Sequence, residues 1–128
     1  MNVLIDTYTF LRWNIDDPLL SLRAKEIITN GQNEIFLSAA SVWEIVIKTA
    51  KGRLILPEPP DQYISKRMNM YRFRPLPIQI SHAIQVNELP SYHNDPFDRI
   101  LIAQSQLESI PLLTNDEHIR RYKVDTIW

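Results

Sequence analysis

Short apolar runs alternate with amphipathic stretches along this chain, and the two periodicities predict strands and helices in turn. The run Asn2–Asp6 reads as a buried strand ending in a polar turn, and TYTFLRWN after it as a helix with Thr7 or Thr9 near its cap. A second helix is predicted from Ser21 to Asn30, with Leu22, Ile27 and Ile28 as its apolar face and Gly31 as its stop. Glu34–Ser38 reads as a second strand. SAASVWEIVIKTAKG reads as a helix that ends at Gly52, with Val42, Ile45 and Val46 on one face. LILPEPP is an extended connection, DQYISKRMNMYRF a helix, and RPLPI an extended segment, since its prolines rule out a helix. SHAIQVNELP is a short helix with Ser81 as its cap. DPFDRILIAQSQLES carries the clearest helix signal: Asp95 suits the N-cap, Pro96 the first helical position and Asp98 the third. PLLT, NDEHIRRY and VDTIW complete the pattern as strand, short helical turn and strand. Such alternation predicts an α/β domain with a mainly parallel sheet, in which ligands bind beyond the carboxyl ends of the strands.

Composition narrows the chemistry. The 128 residues contain no cysteine, which excludes disulfides, thiolate metal sites and cysteine nucleophiles and fits a reducing compartment. No linker or repeat divides the chain, so residues 1–128 are expected to form one domain. No apolar stretch approaches the ~20 residues of a membrane span. MNVLIDTYTF lacks the basic start and long apolar run of a leader, and a cytoplasmic location is expected. The formal net charge is −1, so any nucleic-acid contact must use local basic patches. Candidate patches are Lys48, Lys51 and Arg53; Lys66, Arg67, Arg72 and Arg74; and Arg120, Arg121 and Lys123. Each is equally well read as a solvated face. With two glycines only, a phosphate-cradling glycine loop is absent.

The acids fall where the topology directs attention. Asp6 ends the first strand, and Glu44 lies in the helix after the second. Asp98 sits in the first turn of its helix, and Asp116 follows the PLLT strand directly. On a parallel sheet these positions converge. Several carboxylates in one pocket repel one another, and a hard divalent cation with oxygen ligands relieves the conflict. Such a pocket suits metal-assisted hydrolysis of a phosphodiester. Each acid also has a structural reading: Asp6 as a turn residue, Glu44 as the partner of Ser41 in a capping box, Asp95 and Asp98 as helix-start residues, Asp116 as a cap. Four acids at four equivalent places are more than independent capping requires.

The segments NVLIDTYTFL, LSAASVWEIVIKTAKGRL, DPFDRILIAQ and LLTND also carry a resemblance. In order and spacing the chain resembles the PIN-domain nucleases, above all the VapC-like toxins of toxin–antitoxin pairs. The resemblance implies a three-layer α/β/α sandwich and an Mg²⁺- or Mn²⁺-dependent endoribonuclease. It places the catalytic acids at Asp6, Glu44, Asp98 and Asp116, with Asp6, Asp98 and Asp116 toward the metal and Thr114 and Asp95 supporting them. It implies an RNA substrate, a cognate antitoxin, a homodimer and no membrane association. An arginine of the antitoxin would pair bidentately with the carboxylates. The helices SLRAKEIITN and DQYISKRMNMY offer either an apolar groove for the antitoxin or plain core, and core is the favoured reading. Tyr8 departs from the DTH form common in close relatives, removing an imidazole but no acid.

His82, His93 and His118 are too scattered for a zinc triad; His93 and Asp95 form a ligand-like pair that no second His-rich element supports, and His93 reads either as a neighbour of the substrate path, since it precedes the acidic helix, or as a surface loop residue, the favoured reading. A serine hydrolase lacks its nucleophile elbow. A phosphoacceptor receiver would need paired acids after the first strand and a late lysine, and neither is present. The competing reading is a catalytically silent module of the same fold that binds RNA or an antitoxin.

Overall fold

The computed structural model describes all residues from Met1 to Trp128. Five strands form one sheet in the order β3-β2-β1-β4-β5, and every pairing is parallel. The strands are β1 (Asn2–Ile5), β2 (Glu34–Ser38), β3 (Arg74–Leu76), β4 (Leu112–Leu113) and β5 (Thr126–Ile127). Helices α1 (Thr7–Asn14) and α2 (Leu22–Thr29) connect β1 to β2. Helices α3 (Ala39–Ala50) and α4 (Pro60–Tyr71) connect β2 to β3. Helices α5 (Ile80–Gln85) and α6 (Pro96–Glu108) lead to β4, with a single 3-10 turn at Val86–Glu88 between them, and α7 (Glu117–Arg120) leads to β5.

The two faces of the sheet bury separate cores, as a parallel sheet covered on both sides requires. Side chains alternate along a strand. Val3 and Ile5 therefore enter one core with Phe10, Ile27, Ile28, Tyr63 and Ile64, while Leu4 enters the other with Leu101, Ile102, Leu112 and Ile119. Leu113 and Leu112 of β4 divide in the same way. This is the three-layer sandwich. It also settles the stripes on α2 and α4: Ala24, Ile27, Ile28, Tyr63 and Ile64 are core, not an open groove.

Several helix starts differ from the sequence reading. Asp6, not Thr7 or Thr9, caps α1, accepting from the Thr9 N–H at 2.8 Å. Ser38 caps α3, so Ser41 lies inside the helix and Glu44 in its second turn, which removes the capping-box reading of Glu44. Gln79 precedes α5, where its backbone N–H donates to His82 Nδ1, and Ser81 is internal. On α3 the residues turned inward are Ala40, Ser41, Glu44 and Ile45, while Trp43 and Val46 are exposed. The start of α6 is as expected: the Asp95 side chain accepts from the Phe97 and Asp98 N–H groups, and Pro96 opens the helix. Left-handed residues close α4 at Arg72 (φ 57°) and α6 at Ser109 (φ 54°), although neither is glycine. The scarcity of glycine did not remove these turns; it left them strained, at roughly 1 kcal/mol or more each.

Candidate active site

The chain leaves β1 toward β2 and β3 on one side, then returns to lay β4 and β5 on the other. The crevice of such a sheet lies between the strands where this reversal occurs, here beyond the carboxyl ends of β1 and β4. Asp6 follows β1 and Thr114 follows β4, and the Thr114 hydroxyl donates to Asp6 Oδ2 across the gap. The Asp116 N–H donates to Thr114 Oγ1 at 3.0 Å, and the Asp116 carboxylate caps α7 through the His118 and Ile119 N–H groups. Thr9 Oγ1 donates to the Leu113 carbonyl at 3.1 Å, tying α1 to β4. Asp6 is thus fixed from both sides and almost fully buried. Its carboxyl is held above the ordinary aspartate range, first by burial, against the lowering effect of its hydrogen bonds to Thr114 and Thr9. Asp6, Tyr8, Arg12, Asn115 and Asp116 line a small polar cavity of about 90 Å³.

Asp98 joins this crevice from α6. Its carboxyl is pushed up to about 8, first by burial and then by the charges of Asp95, Asp116, Glu44 and Asp6. All four acids singled out in the sequence, and Asp95 with them, therefore share one electrostatic environment. Asp98 has a partner the sequence did not reveal. His93 Nε2 lies 3.2 Å from Asp98 Oδ2, and the side chains are 11% and 15% exposed. His93 lies in the loop before α6, but its side chain is largely buried, which corrects the surface part of that reading. His93 Nδ1 lies 2.7 Å from the Tyr122 hydroxyl, whose oxygen already accepts from Arg99 Nη1 and from the His93 backbone N–H. The imidazole thus bridges the Tyr122 hydroxyl and the Asp98 carboxyl. Burial, above all, holds the His93 imidazole below its ordinary range. Arg99 also donates to the Pro90 carbonyl at 2.8 Å, so the residue after Asp98 clamps the loop that delivers His93. His118 stacks on His93, with ring centroids 5.3 Å apart.

Glu44 reaches the crevice from α3, and its side chain is only 2% exposed. Oε2 accepts from Lys48 Nζ at 2.7 Å, and Oε1 is buried with no hydrogen-bond partner. Lys48 also donates to the Tyr8 hydroxyl at 2.8 Å. Burial lowers the Lys48 pKa, but the bonds to Glu44 and Tyr8 outweigh it and hold the amine above its ordinary range. Beneath this pair the Thr7 hydroxyl donates to Ser41 Oγ at 3.0 Å, joining α1 to α3. The i,i+4 spacing of Glu44 and Lys48 was a legible sign of their contact. Nothing in the sequence pointed to Tyr122.

Whether these residues fit a divalent cation follows from their chemistry. The donors are carboxylate oxygens, the preference of Mg²⁺ and Mn²⁺. The orphaned Glu44 Oε1 and the crowding that keeps Asp98 protonated are both conflicts that a cation relieves. No three His, Asp or Glu side chains form a ready-made cage in this arrangement. Mg²⁺ asks less, since it keeps several waters and takes one or two carboxylates. The residues fit.

Comparison with known proteins agrees with the fold. A family model described as PIN domain matches residues 3–125, and the chain belongs to the PIN domain family. Among curated proteins, Ribonuclease VapC16 of Mycobacterium tuberculosis is 40% identical over 58 residues, which span 45% of this chain and 41% of that protein. The match thus covers less than half of the relative's length. A chain of the Rickettsia felis VapBC2 complex with a promoter DNA fragment superposes with a TM-score of 0.73 at 14% identity, covering 100% of this chain and 99% of that one. The DNA-bound VapBC of Salmonella typhimurium gives 0.70 at 14% identity, covering 99% and 97%. FitAcB of Neisseria gonorrhoeae gives 0.66 at 20% identity, covering 98% and 96%. At these identities the structural likenesses establish the fold.

Proposed function

We propose that this chain is a metal-dependent endoribonuclease and the toxin of a toxin–antitoxin pair. The observation that carries the reading is the crevice between β1 and β4, where burial first, and then the charges of Asp95, Asp116, Glu44 and Asp6, push the Asp98 carboxyl up to about 8. In this reading Asp6, Asp98 and Asp116 hold Mg²⁺ or Mn²⁺, which when bound polarises the phosphoryl group and lowers the pKa of the attacking water. Thr114 orients Asp6, and Asp95 fixes where α6 begins and so where Asp98 sits. His93, backed by Tyr122 and Arg99, holds the Asp98 carboxyl in place. Glu44 completes the acidic wall and orients water or metal through its free oxygen.

The ribonuclease assignment is supported by the similarity to Ribonuclease VapC16, and the antitoxin partner by the likeness to chains of VapBC complexes. An exposed apolar cleft lined by Val42, Trp43, Val46, Met68, Pro75 and Leu76 is further support for a protein partner, since patches of this kind mark interaction surfaces. A homodimer, a cytoplasmic location and one domain over residues 1–128 belong to the same proposal. No helix is long and apolar enough to cross a membrane.

The test is incubation of the purified chain with RNA in Mg²⁺ or Mn²⁺, with and without chelator. Cleavage that requires the metal and is lost in a folded Asp6→Asn variant is the expected result. A chain that binds RNA yet never cuts it under any metal would make it the silent module instead.

A further inference from the structure

We infer that Lys48, held by Glu44 and Tyr8, is a phosphate-positioning residue that grips the RNA backbone beside the bond to be cut. The inference rests on the ribonuclease reading and says how that site takes hold of its substrate.

An acidic crevice that acts on a polyanion must offset its own repulsion. Arg12 lines the small cavity with Asp6, Tyr8 and Asp116, and Lys48 of α3 is bonded to one of its lining residues, Tyr8. Lys48 is the more constrained. Its Nζ donates at 2.7 Å to Glu44 Oε2 and at 2.8 Å to the Tyr8 hydroxyl, and it lies 4.9 Å from the Tyr8 ring centroid. Two acceptors remove the rotamer freedom of a flexible side chain before a substrate arrives. An ammonium has three donors, and these contacts use two. The side chain remains 30% exposed.

The pair is also not a closed salt bridge. Glu44 is buried, yet its Oε1 has no partner. A lysine serving only to neutralise Glu44 has no need of Tyr8. Here the second acceptor is Tyr8, a residue that lines the cavity with Asp6 and Asp116. A phosphodiester oxygen is the ligand that matches a fixed, partly exposed ammonium bonded to the lining of an acidic pocket. The exposed Tyr8 ring beside it offers a face for an adjoining base.

The experiment measures binding of a fluorescent single-stranded RNA to the full chain in EDTA, across a salt series, with thermal melts of each variant. Lys48→Met should weaken binding about tenfold at low salt. It should also make the slope of log affinity against log salt shallower by about 0.7, the value of one phosphate contact on a single strand. Lys48→Arg should restore the slope. Lys25→Met, the same charge change near the far end of α1 where Lys25 pairs with Asp16, should leave the slope at its wild-type value. If Lys48→Met is unstable because Glu44 is left unpaired, Glu44→Gln and Glu44→Gln/Lys48→Met are compared instead, and the same 0.7 difference is expected. An unchanged slope, with or without a fall in melting temperature, overturns the inference and leaves Lys48 a structural partner of Glu44. Wild-type cleavage in Mn²⁺ separates the two claims. A chain that cuts RNA while the slope stays fixed loses only this inference; a chain that neither binds nor cuts loses the ribonuclease reading as well.

Discussion

Replacing Asp98 by asparagine should make the metal-free protein more stable while disabling it. Asp98 is buried among Asp95, Asp116, Glu44 and Asp6, and its carboxyl titrates near 8 in place of an ordinary 3.8. A raised folded-state pKa means that the folded chain binds this proton more tightly than the unfolded chain does. The associated stability is complete below pH 4 and drains away as pH rises toward and through 8. At pH 7 most of the gap applies, a cost of about 4 kcal/mol for folding to take up a proton that the unfolded chain has released. Asparagine keeps the shape and the polar contact with His93 Nε2, but it has no proton to lose. The expected gain at pH 7–8 is about 3 kcal/mol, a rise in melting temperature of about 10 °C for a chain of this size. The assay is a thermal or urea melt of both proteins in EDTA between pH 4 and pH 8.5. The two should agree near pH 4 and diverge steadily above it. Saturating Mn²⁺ should then raise the wild type far more than the variant. Equal pH profiles, or an asparagine variant that is the less stable at pH 8 in EDTA, would refute the claim that burial and neighbouring carboxylates raise the Asp98 pKa.

Other expectations follow from the same geometry. Because Asp98 is protonated near neutrality, Mn²⁺ binding at pH 7 should release close to one proton, seen as buffer-dependent heat in calorimetry, and affinity should rise about tenfold per pH unit up to pH 8. Leu101→Ala, at a fully buried position between α6 and the sheet, should cost about 2–5 kcal/mol by urea melt. Ser109→Gly should add about 0.5–1 kcal/mol, because a left-handed C-terminal residue without a Cβ carries no strain. His93→Ala should lower cleavage without lowering RNA affinity, since the imidazole touches Asp98 rather than solvent-facing surface.

The sheet was legible because a strand buried on both faces leaves an unmistakable apolar run: Asn2–Ile5 and Glu34–Ser38 were found almost to the residue. The start of α6 was legible because Asp95 and Pro96 state a cap and a first turn in two letters. Caps were missed where helix follows strand with no loop between them. Ser38 both ends β2 and caps α3, and Asp6 is the single residue between β1 and α1, so a reading that leaves room for a turn looks a step too late. The acids were located by topology, since equivalent positions after parallel strands must meet at one edge. What topology does not convey is which side chains brace them. His93 meets Asp98 through a loop whose course is fixed by Arg99 and by Tyr122, a residue near the end of the chain. Tyr8 was legible as a departure from relatives, but its hydroxyl bond to Lys48 depends on how α1 lies on α3.

The most direct test of the central claim is single-turnover cleavage of a labelled RNA by wild type and by a folded Asp98→Asn variant, each in Mn²⁺ and in EDTA. The account predicts cutting by the wild type in Mn²⁺ alone and none by the variant, although the variant melts higher in EDTA. Full cleavage by the folded variant would contradict it.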